Sequence, residues 1–178
     1  MPAVQHQAPP VAEPSPWNSA DSLRGALLWS TLTFVAAASG GLASSQAPEV
    51  YASLVQPDWA PPASVFGPVW SLLYLLMALA AWQVWCCRRT VSGASGLALY
   101  ALALVPNALW SWLFFNQRMG AWALVDLVVL WVLIAFTVRS FWRVRPLSGA
   151  LLLPLWAWVS FAGVLNAVVW LANPALLG

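Results

Sequence analysis

The sequence predicts an all-α, polytopic membrane protein: five transmembrane helices in a bundle, with one long Pro- and Trp-containing loop between the first two. Three observations carry this reading. The chain of 178 residues is 62% hydrophobic and only 7% charged, against about 25% charged residues in a soluble domain, so it lacks the polar surface to cover a water-facing globule. Its apolar residues fall into five runs, each near the ~20 residues needed to cross the hydrocarbon core. Only one connection between runs is long, Ser44 to Ser64, and it contains Pro57, Trp59, Pro61 and Pro62. A long loop in a compact bundle is usually functional or disordered; the prolines and Trp59 argue for an ordered one.

Residues 1–22 carry Pro2, Pro9, Pro10, Pro14 and Pro16 and no apolar run. They read as a disordered tail, without the basic start and apolar core of a signal peptide or the arginines of a transit peptide. Residues 23–178 form the membrane domain. The first run, Leu23 to Ala43, is rich in small residues. Ala36, Gly40 and Ser44 make one small-xxx-small row, and Ala37, Gly41 and Ser45 another; in lipid such rows let helices approach closely. The second run, Val65 to Trp85, is headed by Pro68, which a helix tolerates in its first turn, and ends at Arg88 and Arg89. The third runs from Ser95 to Phe115, the fourth from Gly120 to Phe141 and the fifth from Leu147 to Leu171.

Arg24, Arg88, Arg89, Arg139, Arg143 and Arg145 gather at one set of helix ends, with only Arg118 at the other. By the positive-inside rule, for a bacterial plasma membrane, the N-terminus is cytoplasmic and the long loop lies on the opposite side. The net charge of +2, with no lysine, argues against a nucleic-acid partner. Fourteen tryptophans exceed what interfacial belts on five short helices require, so several are expected to line an interior.

Three helix faces gather candidate site residues. From Tyr51 to Ser64 the chain is too proline-rich for a helix and runs as a stiff strap into the second segment. There Phe66, Trp70 and Tyr74 are four apart and share a face, which can wall a pocket under the loop. In the third segment Pro106 frees a backbone carbonyl and favours a kink. Asn107, Trp110, Ser111 and Phe114 follow on one face, read either as helix–helix hydrogen bonding or as ligand contact. In the fifth, Pro154 is expected to kink the helix, Trp158, Ala162 and Asn166 share a face, and Trp156 points elsewhere. Asp126 is the only acid inside an apolar span, a functional signal by default that equally suits a structural hydrogen bond. No second acid accompanies it for a proton relay.

Several chemistries find no support. No histidine or reactive-cysteine setting exists in the spans for hydrolysis, His6 being the only histidine, and no Gly-rich phosphate loop is present. Cys86 and Cys87 are adjacent, a poor geometry for a disulfide and too few for zinc. They read as inert thiols, or as palmitoylation sites. No metal is expected, and a large planar ligand held by stacking suits the aromatic faces better than a haem iron ligated by the chain.

The loop and the second segment resemble the translocator protein family (TspO/MBR). The family's loop pattern stands here as Val50-Tyr51, Leu54, Gln56-Pro57, Trp59 and Pro61-Pro62, followed by Trp70 and Leu73-Tyr74. The third segment matches through Asn107-Ala108-Leu109-Trp110, Phe114-Phe115 and Arg118-Met119, the fourth through Ala123 to Leu127, and the fifth through Pro154, Trp158 and Leu165-Asn166. Val50 and Gln56 replace the family's usual tryptophan and lysine, and the tyrosine-plus-basic sterol motif of mammalian members has no counterpart late in the fifth segment. The resemblance implies a five-helix bundle, a homodimer, and a pocket closed by the loop that takes porphyrin, haem or synthetic isoquinoline and benzodiazepine ligands. Carried over, the pocket comprises Tyr51, Pro61, Phe66, Trp70, Tyr74, Asn107, Trp110, Ser111, Leu127, Trp158 and Ala162, with Asp126 added from the residue reading. Trp70 and Trp158 match tryptophans at which family members are thought to react with bound porphyrin.

The expectation is therefore a membrane receptor or sensor for tetrapyrroles, with no resident cofactor and porphyrin or haem as ligand, serving porphyrin homeostasis, signalling or transport. The alternatives are a light-dependent porphyrin-degrading enzyme acting through Trp70 and Trp158, a small-molecule or sterol transporter, and a scaffold with no saturable ligand.

Overall fold

The computed structural model describes Trp17, residues 20–88 and residues 90–178. His6, Arg89 and the rest of the tail up to residue 19 lie outside the described residues. Five long apolar helical stretches cross the length of the molecule, and the described residues contain no strand. Their outward faces carry large exposed apolar side chains such as Leu27, Leu75, Val105, Trp122 and Phe136. This is the inverse of a soluble protein and the pattern expected of lipid-facing helices.

Helix α1 (Ala20–Ala43) starts three residues earlier than the sequence reading, because Ala20, Asp21 and Ser22 are helical. Asp21 pairs with Arg88 at 2.9 Å, and the Trp82 and Trp85 indoles donate to the Ser22 and Asp21 carbonyls, each at 3.1 Å. The long loop is not all strap. Its first part forms a short helix, α2 (Ala47–Ser53), with Pro48 in the first turn, where a missing N–H costs nothing. Extended backbone follows to Pro62, interrupted by a turn at Asp58–Trp59 in which the Ala60 amide donates to the Pro57 carbonyl at 2.9 Å, and a 3-10 turn (Ala63–Val65) feeds α3 (Phe66–Cys86).

Helix α4 (Val91–Ser111) begins at Thr90, whose hydroxyl accepts from the Gly93 amide at 3.1 Å, a standard N-cap. It remains helical through Pro106 and widens into a π-turn at Trp112–Asn116. Arg118 follows with φ of 54° and ends the element. Helix α5 (Gly120–Val144) is unbroken. The fifth apolar run is two helices rather than one kinked helix: α6 (Pro146–Ala150) and α7 (Leu153–Ala172). Pro154 lies in the first turn of α7, so it begins a helix instead of bending one, and the expected kink is replaced by a break at Leu151 and Leu152. A last turn, α8 (Pro174–Leu177), closes the described chain.

The core has two parts. The larger joins α1, α3, α4, α5 and α7 around Met77, Ala80, Ala81, Val84, Tyr100, Leu130, Ile134 and Phe141, all at most 2% exposed. The smaller lies at the loop end and joins Val50 and Leu54 to Phe114, Ala123, Leu165, Val169 and Leu177.

Candidate functional site

Beneath the loop the bundle encloses a cavity of about 500 Å³, within the usual range for small-molecule sites. The first four helices and the two turns joined to α3 and α4 build it. The C-terminal half of α1 contributes Ala37, Gly40 and Gly41, the turn after it contributes Ser44, and α2 contributes Ala47, Pro48 and Tyr51. The 3-10 turn and α3 supply Ala63, Ser64, Phe66, Gly67, Trp70, Ser71 and Tyr74; α4 and its π-turn supply Asn107, Trp110, Ser111 and Phe115. Gly41, Gly67 and Ser71 are exposed, so the wall between α1 and α3 is thin on the lipid-facing side.

The lining is aromatic and carries no arginine, acid, histidine or cysteine. Trp70 and Tyr74 stack with centroids 5.5 Å apart at a tilt of 31°, and Tyr51 meets Phe66 edge-on at 5.5 Å. The Tyr51 hydroxyl donates to the Pro61 carbonyl at 3.1 Å, and burial pushes its phenol above the ordinary tyrosine range, so it stays a neutral donor. Polar groups cluster on the α4 side. The Tyr74 hydroxyl donates to Asn107 Oδ1 at 2.7 Å, which leaves Asn107 Nδ2 buried with no acceptor. Trp110 Nε1 donates to Asn166 Oδ1 at 3.1 Å, and Asn166 Nδ2 donates to the Gly120 carbonyl at 3.0 Å. Buried donors are nearly always satisfied; an orphan amide on a cavity wall is a place for a ligand's acceptor.

Tyr51, Phe66, Trp70, Tyr74, Asn107, Trp110 and Ser111 are thus brought together on one lining. Five other sequence candidates are not on it. Pro61 sits one hydrogen bond away through Tyr51. Trp158 lies behind Phe66, edge-on at 5.9 Å. Leu127 is sealed in the larger core and Ala162 packs against it. Asp126 is buried on α5 with Oδ2 unpartnered. Phe114 also faces away: the π-turn adds a residue to the local period, so Phe115 reaches the cavity, while Phe114 stacks on Trp110 at 5.3 Å and fills the smaller core.

Sequence reasoning missed the α1 wall. It took the small residues for a helix-packing seam, and in part they are one, since Ala36 is buried in the larger core. But a side chain added at Gly41 would meet nothing within 4 Å, and one at Gly40 would come only to 3.6 Å from Ser111 Oγ and 3.8 Å from the Tyr74 hydroxyl. These residues make room. The two departures in the loop have their own partners: Val50 is buried in the smaller core, and Gln56 Nε2 donates to the Tyr51 carbonyl. Among the described residues no group of three potential metal ligands exists.

Similar proteins share this arrangement of sequence. The chain is 38% identical over 133 residues to the translocator protein of Sus scrofa, covering 72% of this chain and 77% of the relative. It is 38% identical over 125 residues to the CrtK protein of Rhodobacter capsulatus, covering 70% and 78%. It is 37% identical over 139 residues to the tryptophan-rich sensory protein of Cereibacter sphaeroides, covering 76% and 85%. The family profile named TspO/MBR matches residues 28–171, a span that takes in the whole cavity and all but the first turns of α1 and the last residue of α7 among the five apolar stretches. This integral multi-pass membrane protein belongs to the TspO/MBR family.

Proposed function

We propose that the chain is a receptor or sensor that binds a tetrapyrrole, porphyrin or haem, in the cavity beneath the loop. The observation that carries the reading is the lining itself: a large aromatic space with no fixed charge and one fully buried unfilled donor, Asn107 Nδ2. Aromatic walls supply affinity to a planar ring through burial and offset stacking, and a few polar groups orient it. Burying a carboxylate without a partner is costly. With no cation in the lining, the ligand's acidic edge points outward to water and its apolar edge inward toward Trp70. The names of the relatives, translocator and sensory protein, agree with a carrier or signalling role. We further infer a homodimer in a bacterial cell membrane, with a cytoplasmic N-terminus and the loop on the opposite face.

The test is titration of protoporphyrin IX into purified protein, followed by tryptophan quenching, with Trp70→Phe, Asn107→Ala and Trp158→Phe beside the parent. Saturable quenching is expected, weakened most by the first two and least by Trp158→Phe, whose ring stands behind Phe66. Quenching that rises linearly without saturation overturns the reading. A second reading, breakdown of bound porphyrin, is favoured by the exposure of the Trp70 indole to the cavity. It predicts a covalent or ring-opened product under illumination that disappears in Trp70→Phe.

A further inference from the structure

The long loop between α1 and α3, loop 1, is hydrogen-bonded to the end of α7 by one side chain outside the cavity. Asn173, at the end of α7, faces Val55 in the extended part of the loop. The Val55 N–H donates to Asn173 Oδ1 at 2.8 Å, and Asn173 Nδ2 donates to the Val55 carbonyl at 2.9 Å. A primary amide presents donor and acceptor at the spacing of a peptide group, so the pair mimics one rung of a β-ladder between residues 118 apart in sequence. A third bond, from Nδ2 to the Val169 carbonyl at 2.7 Å, ties the amide back to α7 and fixes its orientation. Asn173 is only 6% exposed, whereas Val55 is 63% exposed.

The remaining fastenings of the loop are apolar or internal. Val50 and Leu54 pack with Leu177 and Val169, Trp59 meets Phe161 edge-on at 5.9 Å, and Tyr51, Ser53 and Gln56 bond within the loop. Among the described residues, the two bonds to Val55 are the only hydrogen bonds by which residues 46–61 reach a transmembrane helix. When they break, water can satisfy the Val55 groups at once, because that residue is exposed. Opening therefore strands no polar group on the loop side, which is what a reversible fastening requires.

We propose that Asn173 is the latch of the cavity: a positioning residue that holds loop 1 shut and sets how often the cavity opens to the aqueous side. Each such bond shifts an opening equilibrium by roughly two- to tenfold on its own. Removing both should raise the open population on the order of tenfold to a hundredfold. The proposal deepens the ligand reading but does not need it, since opening is measurable without a ligand.

The experiment uses the full chain with Cys86→Ser and Cys87→Ser, and a single reporter thiol placed in the cavity wall by Ser111→Cys. Its rate of reaction with a membrane-impermeant, positively charged methanethiosulfonate reports aqueous access alone, because a charged reagent does not arrive through lipid. Asn173→Ala is expected to raise the rate tenfold or more. Val55→Pro removes only the loop's N–H; Leu54 before it already has ψ of 145°, which a following proline accepts. It should raise the rate by less, and the double variant should be no faster than Asn173→Ala alone, since both changes break one interaction. Fraying of α7 by itself would make the two changes additive. Amide exchange at Val55 in the otherwise native chain gives a second measurement, expected to accelerate in Asn173→Ala. An unchanged thiol rate overturns the latch, whatever porphyrin does. A raised rate in a protein that fails to bind porphyrin leaves the latch standing and removes only the ligand reading.

Discussion

Glycine serves opposite purposes at the arginine-rich end of the bundle and on the wall of the cavity. At the end carrying most of the arginines, a side chain added at Gly25 would lie 2.0 Å from Trp85 Cδ1, and one at Gly96 would lie 2.7 Å from Ser140 Oγ. There glycine brings helices into contact, and the space is filled by an indole or a hydroxymethyl group from the neighbour. At the loop end Gly120 is packed the same way, 2.7 Å from Trp170 Cδ1, but on the cavity wall Gly41 and Gly67 have nothing within 4 Å of where a side chain would begin. Glycine there holds a volume open. Close packing inside proteins is the rule, so the departure marks the end where a ligand has somewhere to go.

This contrast can be broken most forcefully at Gly25. Trp85 cannot swing aside freely, because its indole donates to the Asp21 carbonyl and lies 3.7 Å under the Arg88 guanidinium. Gly25→Ala is expected to cost about 3 kcal/mol, the upper range for overpacking, read as a lowered unfolding midpoint in detergent. Next is Asn107→Ala, which removes the acceptor of the half-buried Tyr74 hydroxyl; a loss of about 1 to 2 kcal/mol is expected, with weakened porphyrin binding. Gly41→Phe should do the reverse of Gly25→Ala. Stability should stay within about 0.5 kcal/mol, as for most changes at exposed sites. Porphyrin affinity should fall at least tenfold, about 1.4 kcal/mol, because the ring occupies the cavity. If Gly41→Phe unfolds the protein instead, the open end is not open.

Two smaller effects sharpen the boundary between the ends. Asp126 is buried with an unpartnered oxygen and does not line the cavity, so Asp126→Leu should leave porphyrin binding unchanged. It should also leave stability unchanged or raised by about 1 kcal/mol, since replacing an unsatisfied polar group by an apolar one is often favourable. A fall in stability would mean the carboxyl has a partner outside the chain. The smallest effect is expected from Asp21→Asn. The Asp21–Arg88 pair is 52% and 31% exposed, and such pairs contribute about 0–1 kcal/mol. A near-silent Asp21→Asn beside a damaging Gly25→Ala would show that packing, not charge, holds that end together.

The five apolar spans were legible because hydrophobicity over some twenty residues is a coarse and strong signal. Most of the aromatic wall was legible too, since Phe66, Trp70 and Tyr74 obey simple helical spacing. What escaped depends on neighbours rather than on the residues themselves. Pro154 reads equally as a kink or as the first turn of a new helix, and only the break at Leu151 and Leu152 decides. Pro48 conceals α2 in the same way. The rows at Gly40 and Gly41 announce that something small is needed, but not whether Trp85-like bulk or empty space stands opposite. Asn173 carries no pattern at all, because its partner is 118 residues away.

The π-turn at Trp112–Asn116 has a consequence for how a change of length would act. A π-turn is what a helix becomes when it absorbs one extra residue. Before it, side chains advance by the ordinary ~100° per residue; within it they advance by less, so its own residues face about one residue later than an unbroken α-helix would place them. Deleting one residue from this turn would therefore behave less like a truncation than like a rotation. Phe114 would swing toward the cavity, Phe115 would leave it, and the link from Trp110 through Asn166 to the start of α5 would be pulled against a shortened connection. In this protein the shape of the cavity's inner wall is set by a single unit of chain length, with no change of composition required.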